Sequence, residues 1–212
     1  MRHITITIWT MLLSFVGFAA IASDLLVVRH GTSDHHITKV HSSNPDHPNY
    51  KPSHITAEGR EEAQKVAKKL LAHGYCNDNI EAVYVSPLPR SQETAEAMAD
   101  MGLFDRKKII VDVRLIGNRA GDRENMRPQD EYVDPALNGE SQAEVAARMM
   151  AFYDGLAAQD PQKNVILVAH SSPAADLIES ITLHRIKLHP GECMVLPIKR
   201  RNSKQATELS TN

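Results

Sequence analysis

The stretch Asp24-Leu25-Leu26-Val27-Val28-Arg29-His30-Gly31-Thr32 decides the reading of this chain. Leu25 to Val28 is a short apolar run with the length and β-branched content of a buried strand, and it stops abruptly on Arg29-His30-Gly31. Arg29 and His30 are therefore expected to emerge at the carboxyl end of a strand, where open α/β sheets place their ligand crevice. An arginine there offers a two-pronged clamp for an oxyanion, and the adjacent imidazole is a potential nucleophile.

Two later segments repeat the arrangement. Ile80 to Val85 alternates and then runs apolar into Ser86-Pro87-Leu88-Pro89-Arg90-Ser91-Gln92-Glu93-Thr94, which puts Arg90 at the start of a helix just past a second strand. Asn164 to Ala169 reads as a third buried strand and leads directly into His170-Ser171-Ser172-Pro173. If the three strands are parallel, Arg29, His30, Arg90 and His170 converge on one pocket suited to an oxyanion, phosphate first among them.

These residues resemble the histidine phosphatase superfamily, also called the phosphoglycerate mutase-like family. The Arg29-His30-Gly31-Thr32 block, the Ser86 to Thr94 segment and Val168-Ala169-His170 match its motifs in order and separation, and Ile55-Thr56-Ala57-Glu58-Gly59-Arg60-Glu61-Glu62-Ala63 is similar to its helix-opening segment. The likeness runs from Leu25 to about Ile198. It implies attack on phosphorus by His30, with Arg29, Arg90 and His170 holding the phosphoryl oxygens, Thr32 and His36 as further substrate contacts, an acid for the leaving oxygen, and no cofactor or metal. The surrounding cations should keep His30 neutral and nucleophilic near pH 7, and should stabilise charge on the group in transit.

The chain departs from that pattern twice. After Asp112-Val113-Arg114-Leu115 the family's catalytic glutamate is expected two residues past the leucine, where this chain has Gly117. Glu124 is taken as the replacement, with Asp122 or an acid elsewhere left open, or no acid at all. At His36 relatives carry an asparagine. Asp34 is a further candidate for the pocket lining.

Composition bounds the rest. With 212 residues and 42% hydrophobic content the chain fits one folded domain with a sizeable core, and a net charge of -2 gives no sign of a nucleic-acid surface. Met1-Arg2-His3, the apolar run Ile4 to Ala19 and the small-x-small Ala20-Ile21-Ala22 read as a signal peptide cleaved after residue 22, with an uncleaved anchor as the alternative. Residues 23-199 form the histidine phosphatase domain, residues 200-212 a disordered tail, and the destination is the periplasm or the medium, with no stable membrane association after cleavage. Cys76 and Cys193 are either a long-range disulfide or two separate thiols.

Thr56 is expected to cap a helix whose inner face is Ala63, Val66, Ala67, Leu70 and Leu71 and which ends at Gly74; Ser141 and Glu144 form a capping box for another that buries Val145, Met149, Phe152 and Leu156. Strands are expected at Lys108 to Val113 and Met194 to Ile198, with a helix after Pro173. The class is α/β, a three-layer α/β/α sandwich around a mostly parallel sheet. His35 to His54 reads as an exposed polar loop with five histidines lacking metal-ligand spacing, and Gly117 to Gly139 as a second long loop. The expected function is an exported phosphatase acting on a small phosphorylated substrate or a phosphoprotein. A mutase-type phosphotransferase and a catalytically weak phosphate-binding module are the alternatives.

Overall fold

The computed structural model of the chain describes residues 23–127 and 138–198. The leader read at residues 1–22 and the tail read at 200–212 lie outside the described residues. The elements run β1 (Asp24–Arg29), α1 (Asp34–Thr38), α2 (Ala57–Ala72), β2 (Ile80–Val85), α3 (Pro89–Ala99), β3 (Ile109–Val111), α4 (Gln142–Ala158), β4 (Asn164–Ala169), α5 (Ser171–Thr182) and β5 (Cys193–Pro197). The sheet order is β3-β2-β4-β1-β5. β1, β4, β2 and β3 are mutually parallel and β5 is antiparallel to β1, so the sheet is mostly parallel.

Strand alternation sorts the core into two layers. Leu25 and Val27 of β1 and Val165 and Leu167 of β4 pack with Met149 and Phe152 of α4 and Leu177 of α5. Leu26 and Val28, with Val83, Ile166 and Val168, pack with Val66 and Leu70 of α2 and Met98 of α3. β1 is thus buried on both faces, which is why its apolar run shows no alternation. At about 1.5–3 kcal/mol for each fully buried large apolar side chain, this run anchors the carboxyl end of the strand firmly.

Local signals hold where they are strong. The Thr56 hydroxyl accepts from the Gly59 amide, and the helix ends before Gly74, whose φ is +86°. Ser141 and Glu144 make the expected reciprocal cap. The third strand is shorter than expected because 3₁₀ turns at Arg106–Lys108 and Val113–Leu115 bracket it, each opened by an aspartate, Asp105 or Asp112, that accepts an amide two residues on. Cys76 and Cys193 are free thiols.

The expectation of an exposed His35–His54 loop is corrected. Ser33 opens the short helix α1, and Ser42, Ser43 and Ser53 are buried. The segment is pinned by contacts far away in sequence, Ser43 to Glu124 and the His41 amide to the Met126 carbonyl, and closed on itself by the His35 amide donating to Ser53 Oγ.

Candidate active site

The site forms where β1, β2 and β4 end together. Paired positions Arg29↔Ala169 and Val85↔Val168 set the register, so His30, His170 and the turn leading to Arg90 leave the sheet at one level. Two glycines make the first turn possible. A Cβ on Gly31 would lie 2.3 Å from the Gly59 carbonyl oxygen, and one on Gly59 would lie 2.0 Å from that of Thr32. The loop after β1 and the start of α2 therefore interlock backbone to backbone, tied further by the Thr56 amide and hydroxyl on the Thr32 carbonyl.

His30 is the floor of the resulting cleft, only 2% exposed. Its Nδ1 lies 2.8 Å from the Gly31 carbonyl oxygen, which can only accept, so Nδ1 carries the proton and Nε2 the lone pair. Arg90 Nε donates to that Nε2 across 3.2 Å. Burial, and then the Arg90 charge, hold the His30 imidazole well below the ordinary histidine range. His170, edge-on to His30 with ring centroids 5.0 Å apart, is depressed for the same reasons in the same order, and Ser86 Oγ lies 2.8 Å from its Nε2.

Three buried nitrogens on this wall, Arg29 Nε, Arg90 Nη1 and His170 Nδ1, have no hydrogen-bond partner among the described residues. Buried donors are seldom left open without a ligand in view. Ser171 and Ser172 open α5 at the same cleft, and its N-cap His170 gives no side-chain cap, so the amide end of the helix faces the pocket. Among the described residues the lining holds cations, imidazoles and hydroxyls and no carboxylate. Burial, countered in part by Tyr50 and Glu124, brings Arg90 down to about 10, which leaves it charged at pH 7.

His36 packs beside His30, ring centroids 5.5 Å apart. Its Nε2 faces Arg29 Nη2 at 2.8 Å and its Nδ1 faces the Ser33 amide at 3.1 Å. A neutral imidazole has one acceptor nitrogen, so it cannot satisfy both donors at once. An oxyanion accepting from Arg29 would relieve the conflict. Burial, then Arg29 and Arg90, push His36 down to about 4. His30, His35 and His36 offer ring nitrogens within 4.8 Å of one another, a spacing a metal ion would accept. The guanidinium groups at Arg29 and Arg90 make the same place hostile to a cation.

The other candidates lie elsewhere. Thr32 donates its amide and hydroxyl to Glu62 and does not line the cleft; Asp34 is exposed and bonds the His54 amide; Asp122 is exposed. Glu124 is 1% exposed beneath Ser43, whose amide and hydroxyl both donate to it at 2.7 Å, and it reaches the cleft only through that serine. Gly117 is at the cleft itself: a Cβ there would meet Arg90 Nη2 and His170 Cγ at 3.6 Å, so the glycine leaves a gap between two catalytic candidates. Arg148 donates to the Gly117 and Arg114 carbonyls and pairs with Glu140, holding that loop in place.

Sequence reasoning missed His35, His41, Ser43 and Ser171, all of which line the cleft. Ser171 was legible, since it follows His170 at a strand end. The others come from the loop segment and carried no periodic signal. A larger cleft of about 610 Å³ lies between α2 and β5, lined by Lys65, Lys69, Tyr75 and Cys193. It holds no arginine and histidine pair at a strand end, so the chemistry is assigned to the smaller cleft of about 160 Å³.

Known proteins resemble the chain in sequence or in fold. A 2,3-bisphosphoglycerate-dependent phosphoglycerate mutase of Bradyrhizobium sp. (strain ORS 278) is 27% identical over 144 residues, which span 61% of this chain and 65% of that enzyme. Two solved structures share the fold. Bacillus stearothermophilus YhfR has a TM-score of 0.68 at 19% identity over 84% of this chain and 92% of its own. A mycobacterial glucosyl-3-phosphoglycerate phosphatase in complex with VO3 has a TM-score of 0.65 at 23% identity over 82% of this chain and 92% of its own. A sequence model of the histidine phosphatase superfamily (branch 1) matches residues 25–202, almost the whole of the described fold, and the chain belongs to that superfamily.

Proposed function

We propose that the chain is a phosphatase that hydrolyses phosphomonoesters, or a phosphoprotein, through a phosphohistidine on His30, and that it is exported by its first 22 residues. The observation that carries the reading is the pairing of His30 with Arg90: Nδ1 fixed on Gly31, Nε2 free of a proton and held by Arg90, and an unsatisfied Arg90 N–H and the unpartnered His170 Nδ1 alongside. As the phosphoryl group enters, the Arg90 Nε–H turns from Nε2 to a phosphoryl oxygen and frees the lone pair; Nε2 then attacks phosphorus in line, while Arg29, Arg90, His170 and the α5 amides hold the oxygens that gain charge. Depressed basicity keeps His30 unprotonated through the physiological range.

The related mutase supports a second reading, phosphoryl transfer between hydroxyls of one substrate class. Gly117 at the acid position, His36 in place of asparagine and the leader weigh toward hydrolysis. The structural neighbour named as a phosphatase and crystallised with VO3 also supports an oxyanion-binding pocket and hydrolysis. The test is to incubate the purified mature protein with a ³²P-labelled phosphomonoester. An acid-labile, alkali-stable label on His30, chased into inorganic phosphate, supports hydrolysis. Chase into a second organic acceptor supports the transferase, and the absence of both label and turnover leaves only a binding module.

A further inference from the structure

The cleft lining contains no carboxylate among the described residues, Gly117 offers no side chain, and Glu124 is engaged by Ser43 behind the wall. No carboxylate among the described residues is therefore placed to hand a proton to a leaving alkoxide. At about 160 Å³ the cleft holds a phosphoryl group and little more, so with His30 attacking from the floor the leaving oxygen lies toward the mouth. His35 lines the same cleft and, half-buried where His30 is fully buried, is the more open of the two rings, its centroid 5.4 Å from that of His30 and 4.0 Å from that of His36.

What distinguishes His35 is its partners. His30 and His36 each face an arginine N–H, a contact that opposes a second ring proton. His35 Nδ1 instead lies 2.8 Å from Ser33 Oγ and 3.4 Å from Ser53 Oγ, while its backbone amide donates to Ser53 Oγ. A serine hydroxyl both donates and accepts, so it can follow Nδ1 through either protonation state and leaves Nε2 available to the cleft.

Resting on the phosphatase reading above, we propose that His35 is the proton donor to the leaving group and, once neutral, the base for the water that cleaves the phosphohistidine. A proton from solvent joins His35 as the dianionic substrate enters. The His30 Nε2–P bond then forms as the P–O bond to the leaving group breaks, and the leaving oxygen takes the proton from His35 Nε2. Water next adds to phosphorus as the N–P bond breaks, its proton passes to His35, and inorganic phosphate departs. In the empty cleft His35 is pushed down to about 2 by burial, then by Arg90, His36, Arg29 and His41. A phosphoryl dianion offsets the charges of Arg29 and Arg90 and offers His35 a direct anionic partner, so binding of substrate raises His35 from that low value and favours its protonated form.

The experiment compares the full-length protein with His35→Gln, His35→Ala and His41→Gln on glycerol phosphate and p-nitrophenyl phosphate, with vanadate inhibition reporting an intact pocket. In both His35 variants turnover of glycerol phosphate should fall by roughly 10²-fold or more. The nitrophenolate burst should survive, because that leaving group needs no proton, and phosphohistidine should accumulate because the water has lost its base. Added imidazole should restore glycerol phosphate turnover to His35→Ala. Loss of the nitrophenolate burst along with glycerol phosphate turnover, failure of imidazole to rescue, or selective loss in His41→Gln instead would overturn the proposal. A wild-type protein that never labels His30 would overturn the phosphatase reading itself and this step with it.

Discussion

Two halves of the cleft are built in different ways. The sheet half carries Arg29, His30, Arg90 and His170 on strand ends fixed by a core buried on both faces, and the interlock of Gly31 with Gly59 leaves the first turn little freedom. The loop half, from His35 to Ser43 and from Gly117 to Glu124, has little core of its own. It is held by polar contacts such as Ser43 to Glu124, 81 residues apart in the chain. Strand register gives the first half the precision that the proposed covalent step requires, whereas the second can vary in the side chains it presents without disturbing His30.

The largest effect expected from breaking the sheet half is at His30. His30→Ala should remove the acid-labile label and lower kcat by roughly 10⁴-fold or more, since no other group replaces the attacking atom; normal turnover of this variant would end the covalent route. Arg90→Ala should cost roughly 10²–10³-fold and weaken inhibition by vanadate, because it removes an oxyanion contact and the partner of His30 Nε2. Unchanged vanadate inhibition would place Arg90 outside the phosphate site.

In the loop half, Glu124→Ala leaves the buried Ser43 amide and hydroxyl without their acceptor and should lower stability by about 1–3 kcal/mol in urea unfolding. Any fall in turnover should be equal for glycerol phosphate and p-nitrophenyl phosphate. A selective loss on glycerol phosphate would make Glu124 the acid and move the two halves closer in role.

Acid should weaken the whole site. His36 is lowered to about 4 and His35 to about 2 by burial and by cations, against about 6.5 in an unfolded chain. Above pH 6.5 neither state binds these protons, so the groups contribute no pH dependence. As pH falls below 6.5 the unfolded chain takes up protons the folded chain refuses, and stability declines. The urea midpoint should therefore drop between pH 7 and pH 5, with saturating vanadate reducing the slope, since bound anion raises the folded values. A midpoint flat across that range would contradict the burial of these rings. The smallest effect expected is from EDTA, which should leave turnover unchanged; loss on chelation, restored by Zn²⁺, would turn His30, His35 and His36 into a metal site.

What the chain determined by itself was the sheet half. Leu25 to Val28 announces a strand buried on both faces, and such a strand must end where Arg29 and His30 stand. The Ser86 to Thr94 turn with proline at the helix start places Arg90, and Val168 to His170 repeats the logic. These are local rules, with hydrophobic periodicity and turn chemistry written in adjacent residues. Only the tertiary structure decided that the histidine loop folds inward, that Glu124 lies under Ser43, and that Gly117 opens a gap beside Arg90. Each depends on contacts between residues dozens of positions apart, made by polar side chains with no period. Hydrogen-bond partners of that kind are chosen by three-dimensional proximity, which no local pattern encodes.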